Sequence, residues 1–246
     1  MSGTWVKHFG PEDAPVLLYC VAHAGGGGGF FRPWARALAP GVGVRAVVLP
    51  GRESRLREPA ATSMAEVVAP LAAAVEADAD RPYALFGHSM GAAVAYEVAR
   101  VLNTGPRPPL RLLVSGRRPP HLPARFPPLH RLGPEEFLDA VVAMGGTPRE
   151  LVEQPDLVRV FLPGLRADFT LNETYRELPG AVLDCPVSAL TGVDDPQVDA
   201  VEIRRWADVT TGALTVHSFP GGHFYHAGPP DAVAVVVREE LALPVR

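Results

Sequence analysis

Short apolar runs alternate along the chain with stretches in which apolar residues recur at helical spacing. Apolar runs of about four to eight residues, bounded by turn residues, are typical of buried strands in a parallel sheet. Such runs predict strands at Val16–Ala22, Val44–Leu49, Tyr83–Phe86, Arg111–Ser115, Val187–Thr191 and Leu214–Phe219. The stretches between them predict helices at Ser63–Asp78, Ala92–Leu102, Pro134–Met144, Gln154–Tyr175, Val198–Val209 and Pro230–Leu241. This alternation predicts an α/β fold with a mostly parallel central sheet flanked by helices.

One segment departs from the alternation. Residues 117–128 are rich in proline, and no strand separates the two helices predicted after them. A helical block of this kind is typical of an insertion into an α/β fold rather than of an independent domain. We therefore expect a single domain over residues 1–246, with a helical lid inserted at about 117–178.

Composition narrows the classes of protein that remain. The 246 residues are 47% hydrophobic and 20% charged, which suits a folded core, and the net charge of −4 disfavours binding to nucleic acid or to anionic membranes. Cys20 and Cys185 can form at most one bridge, which excludes a disulfide scaffold. The N-terminus lacks an apolar signal segment, and no apolar run approaches the roughly 20 residues of a membrane span. We expect a cytoplasmic protein.

The strongest chemical motif is Gly87-His88-Ser89-Met90-Gly91, which fits the pattern G-x-S-x-G. An apolar strand precedes it and a helix follows it, as the nucleophile elbow of a serine hydrolase requires. The two glycines leave room for a strained turn that presents the Ser89 hydroxyl above the sheet. The motif predicts that Ser89 is a nucleophile.

A nucleophilic serine needs a histidine base that a carboxylate orients, in the chain order Ser, Asp or Glu, His. The strand Val187–Thr191 leads into Asp194 and Asp195, of which the turn favours Asp195 and leaves Asp194 open. Past the last strand, His223 follows a glycine pair at the position expected of the base.

Three other histidines are assigned no catalytic role. His88 is expected to pack beside the nucleophile, His217 to lie along a strand, and His226 lacks the glycine pair. None of the histidines has the spacing of a metal motif, so we expect neither metal nor cofactor.

An acyl-transfer site also needs two N–H donors for the oxyanion. Met90 N–H, at the start of a helix, is one candidate, and Ala24 N–H in the loop His23-Ala24-Gly25-Gly26 is the other. The rest of the glycine run, Gly27 to Gly29, is expected to be a flexible surface loop.

Several motifs together resemble the type II thioesterases of polyketide and nonribosomal peptide synthesis. They are His23-Ala24-Gly25-Gly26, Gly87-His88-Ser89-Met90-Gly91, Gly192 to Pro196, Gly222-His223-Phe224, Gly145-Gly146-Thr147-Pro148, Leu165-Arg166-Ala167-Asp168-Phe169 and Glu173-Thr174-Tyr175. The resemblance covers the chain from about Val16 to Pro229, and the absence of a linker before Met1 favours the discrete type.

The resemblance implies an α/β-hydrolase fold with a helical lid over the site. It also implies hydrolysis of acyl thioesters carried on the phosphopantetheine arm of acyl or peptidyl carrier proteins, which are then the partners. Ser89, Asp195 and His223 would form the triad, with Ala24 and Met90 as oxyanion donors. We expect a monomer.

The lid is expected to select the acyl chain. Phe137, Val141, Met144 and Phe169 are candidates for lining the acyl chamber, although each is as readily a packing residue. Carrier proteins are usually acidic, so arginines are candidates for docking them. The candidates are Arg52, Arg55, Arg57, Arg117 and Arg118, for which plain solvated side chains are the favoured interpretation.

Two other functions remain open. A general carboxylesterase of the same fold would share every catalytic residue and would prefer oxygen esters without a carrier. A non-catalytic scaffold that binds carrier proteins is disfavoured, because all three triad residue types stand at their expected places.

Overall fold

The computed structural model describes residues 4–147, 149–227 and 231–241. Seven strands form one sheet in the order β1-β3-β2-β4-β5-β6-β7. All neighbours pair in parallel except β1, which runs antiparallel to β3 at the edge. The strands are β1 (Val6–Phe9), β2 (Val16–Val21), β3 (Val42–Val47), β4 (Tyr83–His88), β5 (Leu112–Ser115), β6 (Val187–Gly192) and β7 (Leu214–Phe219).

Helices cover both faces of the sheet. They are α1 (Arg32–Leu38), α2 (Met64–Asp78), α3 (Met90–Leu102), α4 (Pro134–Ala143), α5 (Arg149–Val152), α6 (Pro155–Thr174) and α7 (Asp231–Glu240). Helices α2 and α3 pack on one face of the sheet and form one apolar cluster with it. Helices α1 and α7 pack on the other face and form a second cluster. Strands β2 to β6 are buried throughout, which explains why they read as continuous apolar runs rather than as alternating ones.

The six predicted strands and the mostly parallel sheet are confirmed. The predicted helices are confirmed within a few residues, except that Val198–Val209 contains a 3-10 helix at Ile203–Val209. Pro148 and Pro230, which the motifs and the last predicted helix include, lie outside the described residues. The sequence does not predict β1, α1 or α5. Strand β1 and helix α5 have only four residues each, which is too short for a periodic pattern, and the glycine run before α1 obscures the start of that helix.

The segment between β5 and β6 contains α4, α5 and α6. It has an apolar cluster of its own, in which Phe137, Val141, Leu165 and Phe169 are buried. Whether this segment acts as a lid stays a prediction. In the part of the chain that the structure describes, no helix is both long and apolar enough to cross a membrane.

A buried carboxylate joins the end of this segment to the core. Glu97 on α3 accepts hydrogen bonds from Tyr175 Oη at 2.5 Å and from Leu178 N–H at 3.0 Å through Oε1. Its other oxygen, Oε2, accepts from Arg100 at 3.1 Å, and both members of this ion pair are buried. The chain after α6 is therefore tied to α3 through both members of this ion pair, since Arg100 also donates to Leu178 O at 2.6 Å and to Ala181 O at 3.1 Å.

Replacing Glu97 by Ala is expected to lower the free energy of unfolding by about 3–5 kcal/mol, because the buried Arg100 loses its nearest carboxylate, and Tyr175 Oη and Leu178 N–H lose their acceptor. The measurement is urea unfolding at pH 7. Glu76→Ala on the exposed face of α2 is the control. Equal, small losses in both variants would contradict the role assigned to the buried ion pair.

Candidate active site

Ser89 lies in a strained turn between β4 and α3. Its φ of 54° and ψ of −116° place a residue with a side chain in a region that L-residues rarely adopt. Its N–H donates to Ser115 O at 2.8 Å, and its carbonyl accepts from Ala92 N–H at 3.1 Å. The side chain is partly exposed, so the turn presents the hydroxyl at the carboxyl edge of the sheet.

The glycines on either side of Ser89 are required by close backbone contacts. A Cβ atom at Gly87 would lie 2.1 Å from Gly91 O, and one at Gly91 would lie 2.2 Å from Val21 O. Any larger residue at either position would push α3 away from β4 or β2. These contacts are the geometry that the motif predicted for a nucleophile elbow.

Asp195 and His223 come from the loops after β6 and β7. His223 Nδ1 lies 2.9 Å from Asp195 Oδ2, and both side chains are buried. A carboxylate only accepts, so Nδ1 carries the proton and a neutral ring keeps Nε2 as a base. Asp195 Oδ1 accepts from Gln197 N–H at 2.8 Å, which fixes the carboxylate. Asp194 is exposed.

Close contact between the two loops brings this pair together. Val193 N–H donates to Phe219 O at 2.9 Å, and Asp194 N–H donates to Gly221 O at 3.0 Å. A Cβ atom at Gly192 would lie 2.3 Å from Gly222 O. Only a glycine at the end of β6 permits this approach, which places Asp195 against His223.

The base candidate lies next to the elbow. The ring of His223 is 4.8 Å from the ring of His88, the residue that precedes Ser89. His88 is fully buried, and its Nδ1 lies 2.8 Å from Ser115 Oγ, which in turn contacts Tyr225 Oη at 2.6 Å. His88 therefore packs beneath the elbow as predicted. His217 pairs with Glu240 at 2.7 Å, away from this group.

Two more histidines surround His88. The His226 ring lies 3.9 Å from the His88 ring, and the His23 ring lies 6.1 Å from it. Burial, reinforced by the neighbouring histidines, lowers the pKa of His23 to about 4 and the pKa of His226 to about 3. The same causes hold the pKa of His88 well below its ordinary value. These three rings are neutral at pH 7.

The loop after β2 forms a tight turn at the edge of the site. Gly26 N–H donates to His23 O at 2.9 Å, and Gly25 has a φ of +79°. This turn holds Ala24, the predicted oxyanion donor, while Met90 begins α3 directly after Ser89. The positive φ explains why the third residue of the turn is a glycine.

The expectation of a flexible loop at Gly27 to Gly29 is wrong. Gly28 begins a 3-10 helix and is buried, and Gly29 N–H donates to Glu53 Oε1 at 3.0 Å. A Cβ atom at Gly27 would lie 2.3 Å from the same oxygen. The glycines let the chain pass close to a carboxylate from the loop after β3.

Residues 17–240 match the thioesterase domain family. The chain belongs to that family. The resemblance found in the sequence is therefore confirmed, as are the α/β-hydrolase fold and the assignment to hydrolases of thioesters.

Individual relatives cover most of the chain. The linear gramicidin dehydrogenase LgrE of Brevibacillus parabrevis is 37% identical over 233 residues, which span 93% of this chain and 89% of LgrE. The thioesterase PikA5 of Streptomyces venezuelae is 39% identical over 229 residues, which span 91% of this chain and 80% of PikA5. The structure of the type II thioesterase BorB from the borrelidin biosynthetic cluster superposes with a TM-score of 0.87 at 38% identity, with both chains covered in full.

A cavity of about 250 Å³ opens beside the turn of this thioesterase. Its lining comes from the turn, from the loop after β3, from residues 146 and 147, and from α6. Those residues are His23, Ala24, Gly25, Gly51, Arg52, Glu53, Leu56, Gly146, Thr147, Val160, Phe161, Gly164, Leu165 and Asp168. The sequence motifs include several of these residues, but the sequence did not predict that they line one cavity, because they become neighbours only when α6 packs against two distant loops.

The four residues predicted to line the acyl chamber are not among the residues that line this cavity. Phe137, Val141 and Phe169 are buried in the apolar cluster of the inserted segment, and Met144 packs against that cluster. The rings of Phe137 and Phe169 meet edge to face, with their centroids 5.2 Å apart. In this structure they pack the segment, and their contact with substrate stays a prediction.

The favoured interpretation of the arginines as solvated is wrong for four of them. Arg52 pairs with Asp168, and Arg55 pairs with Glu58 and covers the Trp5 ring at 3.9 Å. Arg117 donates to Asn172 at 2.5 Å, and Arg118 pairs with Glu202. Arg57 is exposed. Four of the five candidates for docking a carrier are therefore already engaged inside the protein.

The neutral histidines make stability depend on pH. On unfolding, their pKa values rise to the ordinary value near 6.5, so the unfolded chain binds more protons between about pH 6.5 and 4. Their contribution is complete above pH 6.5 and is lost as the pH falls toward 4. We expect the free energy of unfolding of wild type to decrease between pH 6.5 and pH 5. In His226→Gln this decrease should be smaller by about 1–2 kcal/mol, because the variant lacks one of the histidines that gain a proton on unfolding. Denaturant unfolding at each pH is the measurement, and parallel curves would contradict the expectation.

Proposed function

We propose that this thioesterase hydrolyses acyl thioesters from the phosphopantetheine arm of carrier proteins in polyketide or nonribosomal peptide synthesis, and so removes stalled or misprimed chains. The observation that carries the proposal is the buried pair of Asp195 and His223, 2.9 Å apart, beside a strained elbow serine. A thioesterase with this pair has the parts of an acyl-enzyme mechanism.

In the proposed mechanism, Ser89 Oγ attacks the thioester carbonyl while His223 Nε2 takes the hydroxyl proton. Asp195 holds the ring and stabilises the imidazolium that forms. The tetrahedral intermediate collapses, the C–S bond breaks, and His223 returns the proton to the departing thiol. A water molecule deprotonated by His223 then attacks the acyl-serine, and the acid is released with Ser89 restored.

The oxyanion forms next to two backbone donors. Met90 N–H lies at the start of α3, where the helix dipole favours negative charge. Ala24 N–H belongs to the turn beside the cavity. Removing one such donor typically slows the reaction by about 100-fold to 1000-fold.

The relatives support a carrier-bound substrate. PikA5 is named a thioesterase and BorB a type II thioesterase from a biosynthetic cluster. YbtT, a type II thioesterase from the yersiniabactin pathway, superposes with a TM-score of 0.86 at 28% identity over 95% of both chains. The name of LgrE denotes a redox enzyme, but this sequence has no strand-linked G-x-G-x-x-G with an acidic partner.

Ser89→Ala is expected to abolish deacylation of an acyl-loaded carrier protein, because the variant has no nucleophile to form the acyl-enzyme. Intact-protein mass spectrometry of the carrier gives the acyl mass before and after incubation. Loss of the mass with both proteins would contradict the mechanism, and retention with both would favour a carboxylesterase or a non-catalytic scaffold.

A matched pair of substitutions tests the choice of carboxylate. Asp195→Asn should reduce kcat by about 10⁴-fold, as in related triads, because the histidine then takes the wrong tautomer. Asp194→Asn, one residue away and exposed, should leave kcat within about twofold. The reverse order would assign the triad to Asp194.

The cavity is the proposed acyl chamber, and Gly164 on α6 forms part of its wall. A Cβ atom there would meet only Gly51 O, at 3.7 Å, so a larger side chain would extend into the cavity. Gly164→Phe is expected to lower the ratio of octanoyl to acetyl hydrolysis by about tenfold or more. Gly164→Ala is the control that fits without filling the cavity. An unchanged ratio in the phenylalanine variant would place the acyl chain elsewhere.

A further inference from the structure

Three distant segments meet at Asp168, which is almost completely buried on α6. Its Oδ2 accepts from Gly25 N–H at 2.7 Å, and its Oδ1 accepts from Arg52 Nη2 at 2.5 Å. The same guanidinium donates through Nη1 to Gly26 O at 2.8 Å. The pair of Asp168 and Arg52 therefore binds both ends of the peptide sequence Gly25-Gly26.

The bond from Asp168 acts on the central peptide of the turn that holds Ala24, and the bond from Arg52 acts on the peptide at the end of that turn. The turn closes with the bond from Gly26 N–H to His23 O, and the positive φ at Gly25 is the sign that a type II turn requires. In such a turn the peptide between the second and third residues can face either way, and the two orientations define types I and II. The N–H of that peptide is Gly25 N–H, which Asp168 holds.

Packing supports the same arrangement. A Cβ atom at Gly25 would lie 2.7 Å from Leu165 Cδ1, so the turn rests directly on α6. Leu165 and Asp168 are three residues apart and share one face of the helix. The helix thus contacts the turn sterically at one residue and holds its peptide at the other.

Folding alone does not require a charge here. Apolar residues of similar volume often replace a buried ion pair with no loss of stability. What a carboxylate adds is direction, because it accepts from defined donors at defined positions. Both charged residues also line the cavity next to Ala24.

We propose that Asp168 and Arg52 are positioning residues for the oxyanion hole, which fix the turn so that Ala24 N–H faces the reacting carbonyl oxygen. This inference rests on the proposed function. It makes the segment between β5 and β6 part of the catalytic apparatus as well as part of the cavity wall, because Asp168 belongs to α6.

The test uses a small soluble acyl thioester, so that carrier docking does not enter. Asp168→Asn keeps an oxygen for Gly25 N–H but loses the charge that holds Arg52. We expect kcat to fall by about tenfold to 100-fold with KM within about threefold, because a misplaced oxyanion donor affects the transition state more than the bound substrate. Asp156→Asn, exposed near the start of the same helix, is the matched control and should change neither constant.

A second readout separates positioning from a structural role. An alkyl trifluoromethyl ketone forms a tetrahedral oxyanion on a serine nucleophile, so its affinity should fall by the same factor as kcat. The affinity for a thioether analogue of the substrate, which has no carbonyl oxygen for the oxyanion donors to bind, should stay unchanged. Arg52→Gln should reproduce the effect, and the double variant should be no worse than either single variant, because both act on one turn.

A rise in KM with unchanged kcat in Asp168→Asn would overturn the proposal. So would an affinity of Asp168→Asn for the trifluoromethyl ketone equal to that of Asp156→Asn. Additive losses in the double variant would also overturn it. Failure of the proposed function is distinguishable, since it would appear as wild-type protein without carrier deacylation. If Asp168→Asn fails to fold, Arg52→Gln carries the same test from the loop after β3.

Discussion

The strained turn at Ser89 is the constraint on which the rest of the site depends. A positive φ in a residue with a side chain persists only where the surroundings hold it. Here the surroundings are two backbone contacts, Gly87 against Gly91 and Gly91 against the carbonyl of Val21. These contacts fix the position of the start of α3, which includes Met90, against β2. The loop that follows β2 contains the turn at Ala24. The proposed nucleophile and both proposed oxyanion donors are thus placed by one region of close packing.

The signals that could be read from the sequence are local. The elbow needs a strand, two glycines and a helix within a short stretch, and His223 follows a glycine pair directly after β7. The buried strands are continuous apolar runs, so six of seven were predicted. Strand β1 was missed because four residues at the edge of a sheet give too short a pattern, and their pairing with β3 depends on residues far along the chain.

Contacts between distant residues account for what the sequence did not reveal. Glycine composition at Gly27 to Gly29 indicated a flexible loop, but Glu53, from another loop, orders it. Arg52 gave no local sign of burial, because Asp168, its partner, is 116 residues away. The cavity wall has the same origin, since it forms only where α6 meets two loops. Side chains that select a substrate or orient a peptide are therefore the least accessible to sequence reasoning.

The histidines around His223 have an electrostatic consequence for the proposed mechanism. His223 gains a positive charge when it takes the proton of Ser89, and a cation in contact with it would oppose that step. His88, whose ring is 4.8 Å away, is kept neutral by burial, and His23 and His226 are neutral for the same reason. The carboxylate of Asp195, at 2.9 Å, then acts on the imidazolium without opposition from these rings. These three neutral histidine rings thus pack around the elbow without adding a positive charge next to His223.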